Sequence, residues 1–306
     1  MSDTNKGMAL GFLAVAGFAL TLPATRILVA HTSPLFAAFG RAAIGGVIAA
    51  ALLYALNQPW PNKRQFFQLL VVASGVALGF PLLSAMAMME MKASHGGVIV
   101  GVAPILTTAV GAIAFGERPS RSFWMAALAG CALVIIFTAS KSGQPVTAGD
   151  LALFGAVIFA AIGYASGGHL ARTMGGWQVI CWALVIMLPI TLIPTILLAP
   201  ENPLTMPLGA WVALSYLGIV SQLVAFFAWN HGLAIGGIAR VSQTQLLQPF
   251  LTIAGSALLL GEAIEARTML FALMVITTVL ISKKTAVQSI KQTPNLDDSL
   301  VAETVR

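Results

Sequence analysis

The chain has 306 residues, of which 58% are hydrophobic and only 8% are charged, and its formal net charge is +6. A soluble domain carries roughly 25% charged residues, so these few charges could not cover a water-facing surface. The composition therefore predicts an integral membrane protein, and it excludes nucleic acid as the partner of the basic residues, which lie in short loops between apolar runs.

Ten apolar runs follow one another along the chain, each near the ~20 residues that a helix needs to cross the hydrocarbon core of a bilayer. Their apolar residues do not alternate with polar ones, which favours helices over the strands of a barrel. The predicted fold is therefore an all-α integral membrane protein with ten transmembrane helices. The predicted spans are Met8–Ala30, Pro34–Leu56, Phe66–Met89, Ser94–Gly116, Ser122–Ala139, Gly149–Leu170, Trp177–Leu198, Leu208–Asn230, Gly237–Leu260 and Arg267–Ile281.

Two of these runs carry the same motif, a proline followed by a Gly-Glu pair at the end of the run. The interval is 13 residues from Pro104 to Glu117 (117 − 104) and again 13 residues from Pro249 to Glu262 (262 − 249). The two copies are 145 residues apart, close to half of the chain. We interpret this spacing as an internal duplication.

The duplication divides the chain into residues 1–145 and 146–284, followed by a polar tail, residues 285–306, that we expect to be disordered and cytoplasmic. Each half contains five runs, an odd number, so the second half would enter the membrane upside down relative to the first. Two inverted five-helix repeats of this kind are typical of secondary transporters, in which the substrate site lies near the midplane between the halves.

The basic residues predict the orientation, because cytoplasmic loops carry an excess of Lys and Arg. With both termini in the cytoplasm, most of the 16 basic residues lie on the inner side. These inner residues are Lys6, Lys63, Arg64, Arg118, Arg121, Arg172, Arg240, Lys283, Lys284, Lys291 and Arg306. The opposite orientation would reverse the bias.

Several short motifs resemble those of the drug/metabolite transporter superfamily, EamA type. They are Thr21-Leu22-Pro23-Ala24 in the first run, Pro34 to Arg41 in the second, and the two Pro…Gly-Glu runs. The first run departs from the family pattern, since Phe18 follows Gly17 where a Trp-Gly pair is frequent. The resemblance covers about Met8 to Lys284, and it implies a bacterial inner-membrane carrier that exports amino acids or related metabolites.

Polar groups at membrane depth are costly, and each is a candidate for substrate binding. The alternative is that Ser, Thr and Gln side chains join helices by hydrogen bonds. The ninth run is the most polar, and its Gln245 and Gln248 are three residues apart on one helix face. Pro249 removes a backbone donor next to these amides, and the combination suits a neutral polar or zwitterionic ligand.

The residues predicted to bind substrate come from several runs. They are Thr21, Arg41, Phe80, Ser84, Tyr164, Ser166, Gln222, Gln245 and Gln248. Helix breaks or hinges are predicted at Pro23, Pro81, Pro104 and Pro249. Arg41 and Arg26 are candidate handles for a substrate carboxylate, and a tether to carbonyl groups at a helix end is the alternative for both. Glu117 and Glu262 are each predicted to cap the N-terminus of the next helix.

No catalytic residue, metal or cofactor is predicted, because the sequence contains neither a G-x-x-x-x-G-K-[ST] loop nor an H-E-x-x-H motif. We expect a secondary carrier that exports amino acids by alternating access, with a small molecule and the lipid bilayer as partners and a monomer as a plausible state. An exporter of drug-like or other metabolites is the alternative, and a membrane-embedded enzyme or a channel is a more distant one. Since the acidic residues lie at the ends of the runs, we expect no coupling through a carboxylate at mid-membrane.

Overall fold

The structure is a computed structural model that describes residues 3–116, 121, 124–125, 128–129, 132–133, 136–137 and 146–284, without the side chains of residues 204 and 278–284. Within these residues every regular element is helical, and seven helical segments are long and apolar enough to cross a bilayer. They are α1 (Asp3–Val29), α2 (Pro34–Ala55), α3 (Lys63–Glu90), α4 (Ala93–Phe115), α5 (Ala148–Met174), α6 (Gly176–Leu197) and α7 (Leu208–Gly236).

Two more helical segments have described bounds, and the described residues between 121 and 137 are also helical. The segment α8 consists of Ile238–Val241, a 3-10 stretch at Ser242–Leu247 and the α-helix Gln248–Leu260. The last, α9, is Ala266–Lys284. The predicted all-α membrane fold is confirmed for the described residues. The predicted run Ser122–Ala139 falls largely outside the described residues, as do Glu117 and the tail, so the ten-helix count stays a prediction.

Several observed helices extend beyond the predicted runs, and the two largest extensions are in α1 and α7. The helix α1 begins at Asp3 rather than at Met8, and α7 continues to Gly236, beyond Asn230. Hydropathy marks only the part of a helix that lies in hydrocarbon, whereas a helix can continue into the polar interface. An ion pair at 4.0 Å between Lys6 and Asp3, three residues apart, accompanies the extra turn of α1.

Side chains near the loops fix several helix starts. The hydroxyl of Ser33 accepts a hydrogen bond from the Phe36 N–H at 3.1 Å, immediately before the proline that begins α2. Thr147 and Asp150 form a capping box at the start of α5. Such caps satisfy backbone donors that have no partner within the helix.

The two copies of the Pro…Gly-Glu motif have the same local structure. In each, a 13-residue α-helix begins one residue before the proline, at Ala103 or at Gln248. Each helix is followed by a left-handed glycine, Gly116 with φ 72° and Gly261 with φ 64°. Only glycine adopts this conformation without a steric penalty, which explains the glycine of the motif.

One end of the bundle is held by polar contacts between segments distant in sequence. Glu262 lies in the loop after α8, and its two carboxylate oxygens accept the N–H groups of Ala93 and Ser94 at 2.9 and 3.0 Å. It therefore caps α4, which begins 169 residues earlier, and not the next helix as predicted. Arg26 lies 3.8 Å from the same carboxylate and donates to the carbonyls of Met88 and Met91.

Further contacts at this end join the two parts of the chain. A Glu90 carboxylate oxygen accepts the N–H of Gly149 at 2.8 Å. A hydrogen bond between Lys92 and Glu265 at 2.8 Å raises the pKa of the lysine and lowers the pKa of the glutamate. Helix ends cannot leave their backbone groups unpaired next to lipid, so these side chains hold the ends together.

Close packing of backbone atoms, without polar side chains, joins α3 to α5. A Cβ added to Gly75 would lie 2.5 Å from the carbonyl oxygen of Phe159 and 2.9 Å from the Cα of Gly163. Small residues at such positions let membrane helices approach closely.

We expect Gly75→Ala to lower the free energy of unfolding by about 1–3 kcal/mol, because the new methyl group forces backbone atoms apart. The melting temperature of the purified protein in detergent measures the effect. Gly209→Ala is the matched control, since a Cβ there meets nothing within 4 Å. Equal melting temperatures for the two variants would contradict the packing of α3 on α5.

We expect Glu262→Ala to lower the free energy of unfolding by about 1–3 kcal/mol, because it leaves the N–H groups of Ala93 and Ser94 without their acceptor. Glu265→Ala, in the same loop, removes an ion-pair partner that is 51% exposed, and such pairs contribute at most about 1 kcal/mol. The two variants are compared by the fraction of each protein that remains monodisperse after heating, and a larger loss of stability leaves a smaller fraction. A loss for Glu265→Ala as large as for Glu262→Ala would show that capping of α4 is not the stabilising contact.

Candidate functional site: a narrow central cavity

A cavity lies near the middle of the bundle, between α1, α2, α3, α5, α7 and α8. It is narrow, with room for about one ordered water molecule. The residues that line it are Phe18, Thr21, Arg41, Val76, Phe80, Ala160, Tyr164, Ser221, Gln222, Phe226 and Gln248. Most of these positions are far from the ends of their helices.

The cavity brings together six of the side chains that the sequence predicts to bind substrate. These are Thr21, Arg41, Phe80, Tyr164, Gln222 and Gln248. They come from six different helices, so the sequence pattern could suggest each one separately but could not show that they converge.

Three predicted side chains do not line the cavity. Ser84 is fully buried, and its hydroxyl donates to the carbonyl of Pro81 at 3.2 Å. Ser166 is two residues from Tyr164, which places it about 200° around the helix on another face. Gln245 is buried in the 3-10 stretch, one turn before Gln248.

The helix breaks shape the wall of the cavity. In α1 the helix is interrupted at Leu20. Pro23 has no N–H to give to the carbonyl of Ala19, four residues earlier, and the Thr252 hydroxyl donates to that carbonyl at 2.8 Å. A side chain of α8 thus replaces the missing bond of α1.

In α3 the break takes the form of a π-helix at Ser74–Gly79, just before Pro81. The Phe80 N–H bonds to the carbonyl of Gly75 and not to that of Val76, which leaves the Val76 carbonyl free. The Gln222 side-chain amide donates to it at 2.8 Å. The widened turn makes room for the proline ring, which would clash with a regular helix.

The other two prolines also follow breaks. In α4, Gly101 and Val102 separate the helix Ala93–Val100 from the helix that contains Pro104. In α8, the 3-10 stretch Ser242–Leu247 precedes the helix that contains Pro249. Whether these breaks act as hinges stays a prediction.

Arg41 is the only ionised side chain among the residues that line the cavity, and it is 3% exposed. Its Nη2 donates to the Ser221 hydroxyl at 2.9 Å, and the same hydroxyl is 2.8 Å from the hydroxyl of Thr21. Ser221 is not among the residues predicted to bind substrate, although the sequence places it beside Gln222 near the centre of the eighth run. It lies in a second π-helix, Tyr216–Val224.

Four buried polar atoms of the cavity residues have no hydrogen-bond partner among the described residues. They are Nε and Nη1 of Arg41, Oε1 of Gln222 and Oε1 of Gln248. Each buried polar atom that lacks a partner costs about 1–3 kcal/mol, and more if it is charged. The cavity therefore offers cationic donors and neutral acceptors that a polar ligand could satisfy.

An aromatic cluster forms one side of the cavity. The ring of Phe18 lies 5.0 Å from that of Phe226 and 6.0 Å from those of Tyr164 and Trp229, measured between centroids. Trp229 is fully buried behind the others and does not line the cavity. The prediction missed Phe18 and Phe226, although Phe18 is one helical turn before Thr21.

Among the described residues, no three His, Cys, Asp or Glu side chains come close enough together to hold a metal ion. The cavity combines one cation, two amides, an apolar wall and the three hydroxyls of Thr21, Tyr164 and Ser221. In the described conformation this cavity is too narrow for an amino acid, so these groups can bind and orient a small amphipathic molecule only when the lining helices lie further apart. Its few polar groups would fix the orientation of such a molecule in a mostly apolar site.

The proteins that this chain resembles are transporters, exporters or efflux pumps by name. The chain is 40% identical over 264 residues to the uncharacterized transporter YdeK of Bacillus subtilis, covering 86% of this chain and 92% of that protein. It is 23% identical over 259 residues to a probable terminal-alkyne amino-acid exporter of Streptantibioticus cattleyicolor, covering 82% and 84% of the two chains. It is 27% identical over 202 residues to a probable amino-acid metabolite efflux pump of Salmonella typhimurium, covering 60% and 65%.

A solved crystal structure shares the fold at 19% identity, with a TM-score of 0.66 over 92% of this chain and 97% of that one. The model of the EamA-like transporter family matches the chain twice, at residues 5–139 and 147–283. Together with the membrane-spanning helices, these matches identify a multi-pass membrane transporter and not an enzyme. The chain belongs to the EamA-like transporter family.

Proposed function

We propose that this transporter exports amino acids or closely related metabolites across the bacterial inner membrane by alternating access. The observation that carries the proposal is the central cavity, where the guanidinium of Arg41 and the amide oxygens of Gln222 and Gln248 have unused hydrogen-bonding capacity. A carboxylate matches the guanidinium, and an amino nitrogen matches the amide oxygens. The names of two relatives, an amino-acid exporter and an amino-acid metabolite efflux pump, support the same cargo.

Each part of the cavity has a role in this proposal. Arg41, with Ser221 beside it, binds the carboxylate of the cargo. Gln222 and Gln248 accept N–H groups from its nitrogen, and the rings of Phe18 and Tyr164 contact its apolar part. Thr21 keeps the Ser221 hydroxyl in place through their 2.8 Å contact.

The proposal includes two inverted repeats, residues 1–145 and 146–284, that rock about the cavity. Three observations support it. The family model matches each half, the two motif helices are equal in length, and the π-helix at Ser74–Gly79, shifted by 145 residues, overlaps the one at Tyr216–Val224. The breaks at Pro23, Pro81, Pro104 and Pro249 are the proposed hinges. Both termini lie in the cytoplasm, as the basic residues indicate.

The first test is efflux of labelled amino acids from proteoliposomes that contain the purified transporter. We expect saturable efflux of at least one member of a panel, and we expect Gln248→Ala to raise its KM about tenfold. Loss of one hydrogen bond to the cargo is worth about 1–1.5 kcal/mol, which corresponds to that factor.

Gln243→Ala is the matched control for this experiment. Gln243 is also a buried glutamine with an unpartnered amide oxygen, it lies in the same segment, and it does not line the cavity. If no amino acid of the panel leaves the vesicles faster than from empty liposomes, the proposed cargo is wrong. If both glutamine variants behave alike, Gln248 is not in the binding site.

The inverted arrangement predicts that the ends of the two motif helices face opposite sides of the membrane. Single cysteines at Arg121 and at Ile264, in a chain whose Cys131 and Cys181 are replaced by alanine, test this in intact cells. We expect an impermeant maleimide to label Ile264→Cys from outside and Arg121→Cys only after permeabilisation. Labelling of both from the same side would refute the inverted repeat.

A further inference from the structure

We infer that, within the proposed class of amino-acid cargo, the cavity prefers monoanions over zwitterions. The preferred cargo would be a derivative that keeps the carboxylate but carries an uncharged nitrogen or none, such as an N-acyl amino acid or a 2-hydroxy acid. This inference rests on the proposed function, and it specifies the charge of the cargo.

The first argument is the net charge of the site. Arg41 contributes one positive charge, and none of the residues that line the cavity is acidic. A monoanion makes the loaded cavity neutral, whereas a zwitterion adds no net charge and leaves it cationic. A buried charge is tolerated when a partner of opposite charge compensates it, and it is costly when none does.

The second argument is the supply of hydrogen-bond acceptors. An ammonium group has three N–H donors, but the amide oxygens without a partner are those of Gln222 and Gln248. The Val76 carbonyl already accepts from Gln222, and the hydroxyls of Thr21 and Ser221 contact each other. The phenolic oxygen of Tyr164 is the other side-chain acceptor in the lining, so an ammonium group would have to engage it and both amide oxygens at once. An acylated nitrogen has one N–H, which a single amide oxygen satisfies.

The third argument is repulsion between like charges. The nitrogen of an α-amino acid is attached to the carbon next to the carboxylate, so a carboxylate bound to Arg41 brings an ammonium group close to the guanidinium. Repulsion at such distances is much stronger in a buried site than in water. Acylation removes this repulsion and adds apolar surface, which the rings of Phe18, Tyr164 and Phe226 can cover.

A ligand series at fixed side chain tests the inference. For phenylalanine it comprises the free amino acid (zwitterion), N-acetylphenylalanine and 3-phenylpropanoate (both monoanions), and phenylalaninamide (cation), with the same series for leucine and alanine. Affinities come from calorimetric titration of the purified transporter, and transport comes from efflux out of loaded proteoliposomes. We expect the monoanions to bind at least about tenfold more tightly than the zwitterion, and the cation not to bind.

Variants of Arg41 show whether this residue sets the preference. In Arg41→Gln the cavity loses its charge, so the ratio of monoanion to zwitterion affinity should fall towards one, whereas Arg41→Lys should keep the ratio above one. Arg26→Gln is the control, because it removes a positive charge at the end of the bundle, outside the cavity. Its ratio should equal that of the unmodified protein. If Arg41→Gln fails to fold, Arg41→Lys and the ligand series decide the question.

The outcomes separate this inference from the proposed function. Tighter binding of monoanions supports both. Equal or tighter binding of the zwitterions overturns the charge preference and leaves amino-acid export standing. If no member of any series binds or is transported, both are wrong. A preference that persists unchanged in Arg41→Gln would also overturn the inference, since the charge of Arg41 would then not be its cause.

Discussion

A carbonyl group freed by a proline in a membrane helix must find another donor within the protein, because lipid offers none. This constraint explains the centre of the bundle. Pro23 frees the carbonyl of Ala19, and the π-helix before Pro81 frees the carbonyl of Val76. Thr252 and Gln222 supply the two donors, at 2.8 Å in each case. Both donors come from the second half of the sequence, so the breaks tie the two parts of the chain together near the middle of the bundle.

The same bonds also determine what the cavity presents to a ligand. Because Gln222 uses its side-chain nitrogen on the Val76 carbonyl, its oxygen is the atom left without a partner. The π-helix that carries Gln222 also carries Ser221, whose hydroxyl holds one nitrogen of Arg41. The hydrogen bonds that satisfy the freed carbonyls therefore also position the polar side chains of the cavity. A substitution that removes one of these bonds should also change the cavity.

Much of the fold could be predicted from the sequence, because the length and hydropathy of a run are local properties that the bilayer imposes. Helices with described bounds occupy nine of the ten predicted runs, and the described residues of the remaining run, Ser122–Ala139, are helical as well. Prolines also mark four of the five breaks in the described helices, and the π-helix at Tyr216–Val224 is the one without a proline. The form of each break was not predictable, since a π-helix depends on a donor such as Gln222 that lies 146 residues away.

The site was predictable only in part, for the same reason. Thr21, Arg41 and Gln248 are polar residues deep in apolar runs, which is a local signal. Ser84 gives the same signal, yet its hydroxyl bonds to its own helix. Ser166 differs from Tyr164 by its position around one helix. Glu262 was expected to cap the next helix but caps one that precedes it by 169 residues. These cases depend on which residues of distant helices face each other, and a single sequence does not show this.

The incomplete hydrogen bonding of the cavity bears on how such a site can select its cargo. Arg41 has five N–H donors, and Ser221 is the hydrogen-bond partner that the described structure gives to its guanidinium. A fully satisfied network would be more stable, but it would have nothing to gain from a ligand. Because the unpaired groups are buried, a molecule that lacks the matching group leaves them unpaired, and this penalises it more strongly than a poor apolar fit does. The unpaired groups therefore lower the stability of the folded protein, and they raise the selectivity of the cavity for its cargo.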